Sequence, residues 1–349
     1  MKPRTASAPK PAKNPEPGIK ATPIAFVQCL VLAYTRRKLN PQAMLDKAHI
    51  APAMLQDAKA HITALQFETA TETAMRELDD EALGWFERRL PWGSYGLLVR
   101  ASLTAPTLGV ALKRWCRHHH LLTNSIRLDV TEQQGHASIT VTEQTDLGAM
   151  REFCIVSVLR NVLGVACWLC DSGIALAAST FRFAPPPHAD SYRVLFDGPC
   201  QFQSASNTLQ FDARYLQLPL RRDEAAMRRL LQRALPLTVR PYRRDRLLVE
   251  KVRQALAQYP AQTRNAQSLA ARLNLSERSL HRQLKQEGSS LQHIKNTVRR
   301  DLALNLLQRS NKPQKQIAEA VGFKNEKSFI RAFKAWTGSN PDALRNKAP

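Results

Sequence analysis

The last third of the chain carries two helix-turn-helix patterns in tandem, at residues 268–285 and 316–334, and no other feature restricts its fold so tightly. Each pattern is a short apolar helix, a tight turn, and a second helix that opens on a capping residue and keeps Arg and Lys on its outer face. A unit of this kind lays its second helix in the major groove of DNA. Two in series are expected to read one stretch of duplex twice.

In the first unit Leu269, Leu273, Leu275, Leu280 and Leu284 supply the contacts between the two helices, and Ala270 is small enough for a close approach. Asn274 stands at the turn, where a positive φ is expected; Asn tolerates it better than most residues, though less well than Gly. Ser276 is the expected N-cap. Arg278, His281 and Arg282 follow at i, i+3 and i+4, so they share a face directed at the groove. The second unit repeats the plan. Ile317, Val321, Phe323, Phe329, Phe333 and Trp336 form its core, Ala318 is the small contact residue and Gly322 makes the turn. Asn325 caps a reading helix that presents Glu326, Lys327, Ile330 and Arg331. Arg can engage guanine O6 and N7 together, Glu326 can accept from a cytosine amino group, and Ile330 can touch a thymine methyl. Lys285, Lys312, Lys315, Lys324 and Lys334 are expected on phosphates, which position without specifying sequence.

Between the units Leu291, Ile294, Val298, Leu302, Asn305 and Leu306 keep a helical period. Residues 291–309 as one helix would span roughly 28 Å, against about 34 Å between successive major grooves on one face of the duplex. The connector therefore has the size to put both reading helices on the same face.

Charge is distributed to match. Residues 21–220 hold 18 basic and 18 acidic side chains, a net of zero, whereas 241–349 hold 22 basic against 8 acidic, a net of +14. The first twenty residues and the 221–240 stretch add +4 each, giving +22 in all. A cationic module on a neutral body favours a polyanion, through counterion release and steering.

Residues 1–20 are rich in Pro, Lys and Ala without an apolar run, which predicts a disordered basic arm and not a signal peptide. The longest apolar stretch, 153–178, is interrupted by Arg160, Asn161 and Asp171, so no membrane span is expected. The six cysteines (Cys29, Cys116, Cys154, Cys167, Cys170, Cys200) are scattered, as suits reduced thiols. A cytoplasmic protein is expected.

The body, 21–220, alternates in type. Helices are expected at 24–37, after Asn40-Pro41 with Asn as cap, and at 65–78, 107–122 and 150–170. Residues 91–96 form a turn-rich loop. A hairpin flanks Glu132 to Gly135, with arms at 126–129 and 136–142. Further strands are expected at 175–183, 200–202 and 208–211. The fold class is thus mixed: an α/β (α+β) domain at 21–220, a helix and linker at 221–245 broken by Pro236 and Pro241, and an all-α domain at 246–349.

The C-terminal residues resemble the DNA-binding domain of AraC/XylS-type transcription regulators. The match runs through Ala303, Leu306-Leu307, Ile317-Ala318, Val321-Gly322-Phe323, Phe329, Arg331, Phe333-Lys334, Gly338 and Pro341 to Arg345. Asn340-Pro341 fits that family's short final helix. Asn274 stands where the family often has Gly, and Ala343-Leu344 replaces a more usual aromatic, which is expected to loosen the last helix slightly. The body resembles the regulatory domain of the ornithine/arginine-type subgroup at 95–98, 102–108, 181–187, 192–196 and 207–219. That resemblance implies effector sensing or dimerisation and control of promoters beside a metabolic operon. It implies as partners double-stranded DNA, an unidentified small-molecule effector, a second copy of the chain and RNA polymerase. The effector-binding residues are not readable.

Competing chemistries are poorly supported. Cys167 and Cys170 have redox or half-zinc spacing, but lie in an apolar helix without a second pair. His118, His119 and His120 are consecutive, so their rings diverge by about 100° on a helix. The acids between Glu77 and Glu81 read as a solvated helix. No metal, cofactor or enzymatic activity is expected. Two other readings stand beside the ligand-responsive regulator: an effector-independent dimeric DNA-binding protein, and an enzyme domain with a cysteine acceptor fused to a DNA-binding tail.

Overall fold

The computed structural model describes residues 20–231, 247–259, 262–263, 265–310, 312–323 and 325–345. Residues 1–19, most of the expected linker and Lys324 lie outside the described residues. The chain divides into two compact units, Met1–Tyr242 and Arg243–Pro349.

In the first unit β1 (Lys20–Pro23) pairs antiparallel with β2 (His61–Thr63). Helices α1 (Ile24–Arg36), α2 (Gln42–Lys47), α3 (Ala64–Glu77), α4 (Ser94–Leu103) and α5 (Leu108–Leu122) follow. Thr63 and Gln66 close a reciprocal cap on α3, and the Thr107 side chain accepts the Val110 N–H at the start of α5. Strands β3 (Ile126–Gln133) and β4 (His136–Glu143) form the hairpin, turning at Gln134 and Gly135, both of positive φ, as a tight two-residue turn requires. Then come α6 (Arg151–Cys170), β5 (Leu176–Thr180), α7 (Tyr192–Phe196), β6 (Cys200–Gln201), β7 (Asn207–Asp212) and α8 (Glu224–Leu231). The sheet order is β3-β4-β7-β5-β6, antiparallel except for β5 beside β6. Ala137, Ile139 and Val141 of β4, with Leu209 and Phe211 of β7, are buried at every second position, and α5 and α6 lie against the sheet.

The segment Gly148–Cys170 is long and apolar enough to cross a bilayer, yet most of it is buried inside this unit. A helix apolar all round is what a core helix looks like. Cys154, Cys167 and Cys170 are buried within it, none of them in a disulfide.

Four local expectations are corrected. The acids at 77–81 are not a solvated helix: α3 ends at Glu77, Asp80 and Glu81 are buried, and Asp80 pairs with Arg37 and accepts the N–H groups of Ala82, Gly84 and Leu90. Residues 91–96 are not all loop, because α4 starts at Ser94. Gly93, at φ 101, turns the chain into it. The Glu81 carboxylate accepts the N–H groups of Gly93 (2.8 Å) and Tyr95 (2.7 Å), a cap supplied from far back in the sequence. Pro41, not Asn40, is the residue flanking α2; Asn40 Oδ1 accepts from the Gln42 N–H instead. The strand expected to reach residue 183 stops at Thr180, since the Arg182 N–H is taken by the Asn207 side chain and leaves the ladder.

The described part of the second unit is helical: α9 (Leu247–Gln258), α10 (Ala266–Arg272), α11 (Glu277–Gln286), α12 (Leu291–Arg309), α13 (Gln314–Ala320), α14 (Glu326–Thr337) and α15 (Pro341–Arg345). It has two cores. One gathers Leu248, Val252, Leu269, Leu280, Leu284, Leu291 and Ile294. The other gathers Ala303, Leu307, Ile317, Val321, Phe329 and Phe333. The bridging helix α12 gives its first turn to one core and its last turns to the other. Leu302, expected on the buried stripe, is 43% exposed, because Ala303 and Leu307 set the buried face and Leu302 lies about 100° from Ala303 around the axis.

Candidate nucleic-acid interface

The first helix-turn-helix starts earlier than its sequence pattern. Asn265 and Ser268 form a reciprocal cap, so α10 begins at Ala266. Asn274, at φ 55, makes the turn. The Ser276 hydroxyl accepts the Ser279 N–H at 3.1 Å and opens α11. Glu277 in that first turn opposes the positive end of the helix dipole. Leu280 and Leu284 are fully buried and fix the rotation of α11. With those two inside, Arg278, His281, Arg282 and Lys285 are exposed on the opposite side. His281 Nε2 lies 3.9 Å from Glu277 Oε1, an exposed pair that holds little energy.

The second unit has the same construction with a different turn. Gly322, at φ 84, separates α13 from α14. A side chain there would be strained in the left-handed region, and the Arg299 guanidinium, which lies over the Phe323 ring at 5.2 Å, closes the space beside it. Asn325 Oδ1 accepts the Ser328 N–H at 2.8 Å. Phe329 and Phe333 are fully buried, leaving Glu326, Lys327, Arg331 and Lys334 exposed. Ile330 is corrected: expected to be exposed, it is half-buried and packs against the second core. Among the described residues, Arg278, Arg282, Lys327 and Arg331 make no ion pair.

The supporting cations are distributed around both units. Lys315 is exposed on α13, and Lys312 is exposed just before it. The Lys312 carbonyl accepts Arg345 Nη2 at 2.7 Å, which ties α15 to this loop. Pro341 opens α15 and is buried, and Leu344 packs on the second core. Lys334 sits in the last turn of α14, whose end is stopped by Gly338 at φ 75. On α12, partial burial and the neighbouring Arg299 hold the Lys295 ammonium below the ordinary lysine range.

Some supports were not legible locally. Glu287, just past α11, accepts the backbone N–H groups of Leu248 (3.2 Å) and Val249 (2.8 Å), so it caps α9 across the first core. Arg272 lies 3.4 Å above the Tyr259 ring. Both contacts join residues distant in sequence, and no local pattern announces them.

Comparison with known proteins agrees with this construction. The family model described as the N-terminal arabinose-binding domain of the AraC transcription regulator matches residues 39–220. A helix-turn-helix domain model matches residues 269–347. The chain belongs to the AraC family of transcription regulators: it is a DNA-binding regulator with an N-terminal domain of the family's ligand-binding type. It is 26% identical over 324 residues to the ornithine utilization regulator of Pseudomonas aeruginosa, covering 93% of this chain and 96% of that one. The regulator VqsM of the same organism is 30% identical over 99 residues, 28% of this chain and 30% of that one. Among solved structures, CdpR of Pseudomonas aeruginosa aligns over 92% of this chain and 98% of its own, with 18% identity and a TM-score of 0.33.

Proposed function

We propose that this regulator reads two successive major grooves of one duplex with α11 and α14. Arg278, His281 and Arg282 contact bases in the first groove, and Glu326, Lys327 and Arg331 in the second. Ile330 offers only the edge that packing leaves. Lys285, Lys312, Lys315, Lys324 and Lys334 hold phosphates. The observation that carries this reading is the shared bridge: α12 enters both cores, so neither reading helix can turn without the other. A single helix of this length spans roughly 28 Å, close to the repeat of the groove.

The first unit, on this reading, binds a small-molecule effector that changes DNA affinity or the action on RNA polymerase, and the working form is a homodimer on nucleoid DNA in the cytoplasm. The name of the Pseudomonas relative, an ornithine utilization regulator, supports an effector from small-metabolite chemistry. The division is 1–20 as arm, 21–220 as regulatory domain, 221–245 as helix and linker, and 246–349 as the reading domain. The test is footprinting of the full chain on DNA upstream of the neighbouring genes, with and without candidate metabolites. One site with two protected blocks per bound protomer, altered by a metabolite, is expected. Even coverage of every fragment would contradict sequence reading, and a footprint indifferent to all metabolites would favour the effector-independent dimer.

A further inference from the structure

The first unit contains a partly open cavity of about 90 Å³ whose lining joins α1, α3, α4 and α6. We infer that this cavity is the effector site and that its ligand is a small organic carboxylate carrying one hydrogen-bond donor, a hydroxyl or an amine. The inference rests on the effector reading above and adds the location and the chemistry.

The wall is aromatic, formed by Phe26, Phe67, Trp85 and Phe153. Phe153 lies edge-on to Trp85 at 5.4 Å and to Phe67 at 6.2 Å, so the rings brace one another and the space does not simply collapse. A cavity closed by apolar rings alone would take any hydrocarbon. This one also has polar residues in its lining, and three of their buried atoms have no partner: Trp85 Nε1, the Tyr95 hydroxyl and Asn161 Oδ1. Each unmatched buried polar atom destabilises the fold. Folded proteins rarely keep such atoms, and three in one lining call for a ligand that meets them.

Their types define it. Trp85 Nε1 can only donate, and the Tyr95 hydroxyl can donate, so both call for an acceptor. Arg160 lines the same space. Its guanidinium is oriented by a bond from Nη1 to the Leu195 carbonyl. Burial pulls its pKa down to about 10, which leaves it cationic at neutral pH. A guanidinium in an apolar setting favours an anion, and its planar fork matches a carboxylate. Asn161 Oδ1 can only accept, which requires a donor on the ligand. Glu81 also lines the cavity, and both its oxygens hold the amides at the start of α4. Its charge disfavours a ligand with two carboxylates and favours a donor on that side. The volume sets the scale: a cavity that accepts benzene measures about 150 Å³, so the buried part of the ligand is smaller than that ring.

The experiment is calorimetric titration and thermal shift of the full chain with four probes. Lactate and alanine carry a carboxylate with a hydroxyl or an amine, butyrate lacks the donor, and propane-1,2-diol lacks the carboxylate. Saturable binding of lactate or alanine at millimolar concentration, with butyrate weaker and the diol silent, is expected. Comparing the first two identifies the donor. Tyr95→Phe keeps the ring and removes only the orphan hydroxyl, and is expected to weaken binding about tenfold without lowering the melting temperature of the free chain. Arg160→Gln is expected to abolish binding; should it fail to fold, Tyr95→Phe and Asn161→Leu decide alone. Equal binding of the diol, no binding of either acid, or unchanged affinity in Tyr95→Phe would overturn the assignment. A metabolite response at the DNA that persists in these variants would overturn the site while leaving effector control standing. Binding that obeys the pattern but never alters DNA affinity would uphold the site and defeat the effector reading.

Discussion

Arg282 and Arg331 occupy corresponding places on the two reading helices, as do Arg278 and Lys327, and each helix is backed by a pair of fully buried apolar side chains four residues apart, Leu280 with Leu284 and Phe329 with Phe333. Those pairs fix the rotation, which is why the outward set was legible in the sequence. The limit of that legibility is Ile330, one position beyond Phe329 and so on the shoulder of the buried face, where it packs. Arg278→Ala or Arg331→Ala is expected to cost about 1–3 kcal/mol on the preferred sequence and to relax preference in its own groove. Binding-site selection from randomised DNA checks this, and an unchanged preference would refute the assignment. Lys315→Ala is expected to weaken binding to all sequences alike and to lower the slope of log K against log salt by about one. A retained slope with lost specificity would exchange the roles of the two residue types.

At the level of elements, starts and stops were readable where the cap is local and hidden where it is remote. Ser276 and Asn325 each directly precede the helix they cap, and the extent of α12 follows from its apolar period. The start of α4 was hidden because its cap comes from Glu81, and the start of α9 is held by Glu287. The strands of the β1–β2 pair are too short for any periodicity to register. Asn325→Ala is expected to destabilise the second unit by about 1 kcal/mol in urea unfolding, the usual cost of a lost cap. In α5, His119 is fully buried with neither ring nitrogen bonded. Burial, aided by His120, pushes its pKa down to about 4 from 6.5. The unfolded chain therefore takes up a proton below pH 6.5 that the folded chain refuses until about pH 4, so stability is full above that window and falls as the pH drops through it. From pH 7 to 5 this one group removes about 2 kcal/mol. His119→Leu is expected to abolish that part of the loss in paired urea titrations, and an identical pH dependence in both proteins would contradict it.

For the molecule as a whole, partition is the organising fact. Residues 241–349 carry a net charge of +14 while 21–220 are neutral, and the backbone divides into compact units at Tyr242 and Arg243. Composition alone made that division visible. What composition left out is the cavity of the first unit, since Phe26, Trp85, Tyr95 and Arg160 come from separate stretches and meet only on folding. The central claim is that α12 holds two reading helices against adjacent turns of one duplex. The most direct measurement is the affinity of the full chain for its footprinted site with five or ten base pairs inserted between the two protected blocks. Five pairs turn the second block to the far face of the duplex, so the account predicts loss of one helix's contacts, about tenfold to hundredfold in affinity. Ten pairs restore the face but exceed the reach of one rigid helix, so the loss is expected to persist. Undiminished affinity with either insertion would contradict the bridge.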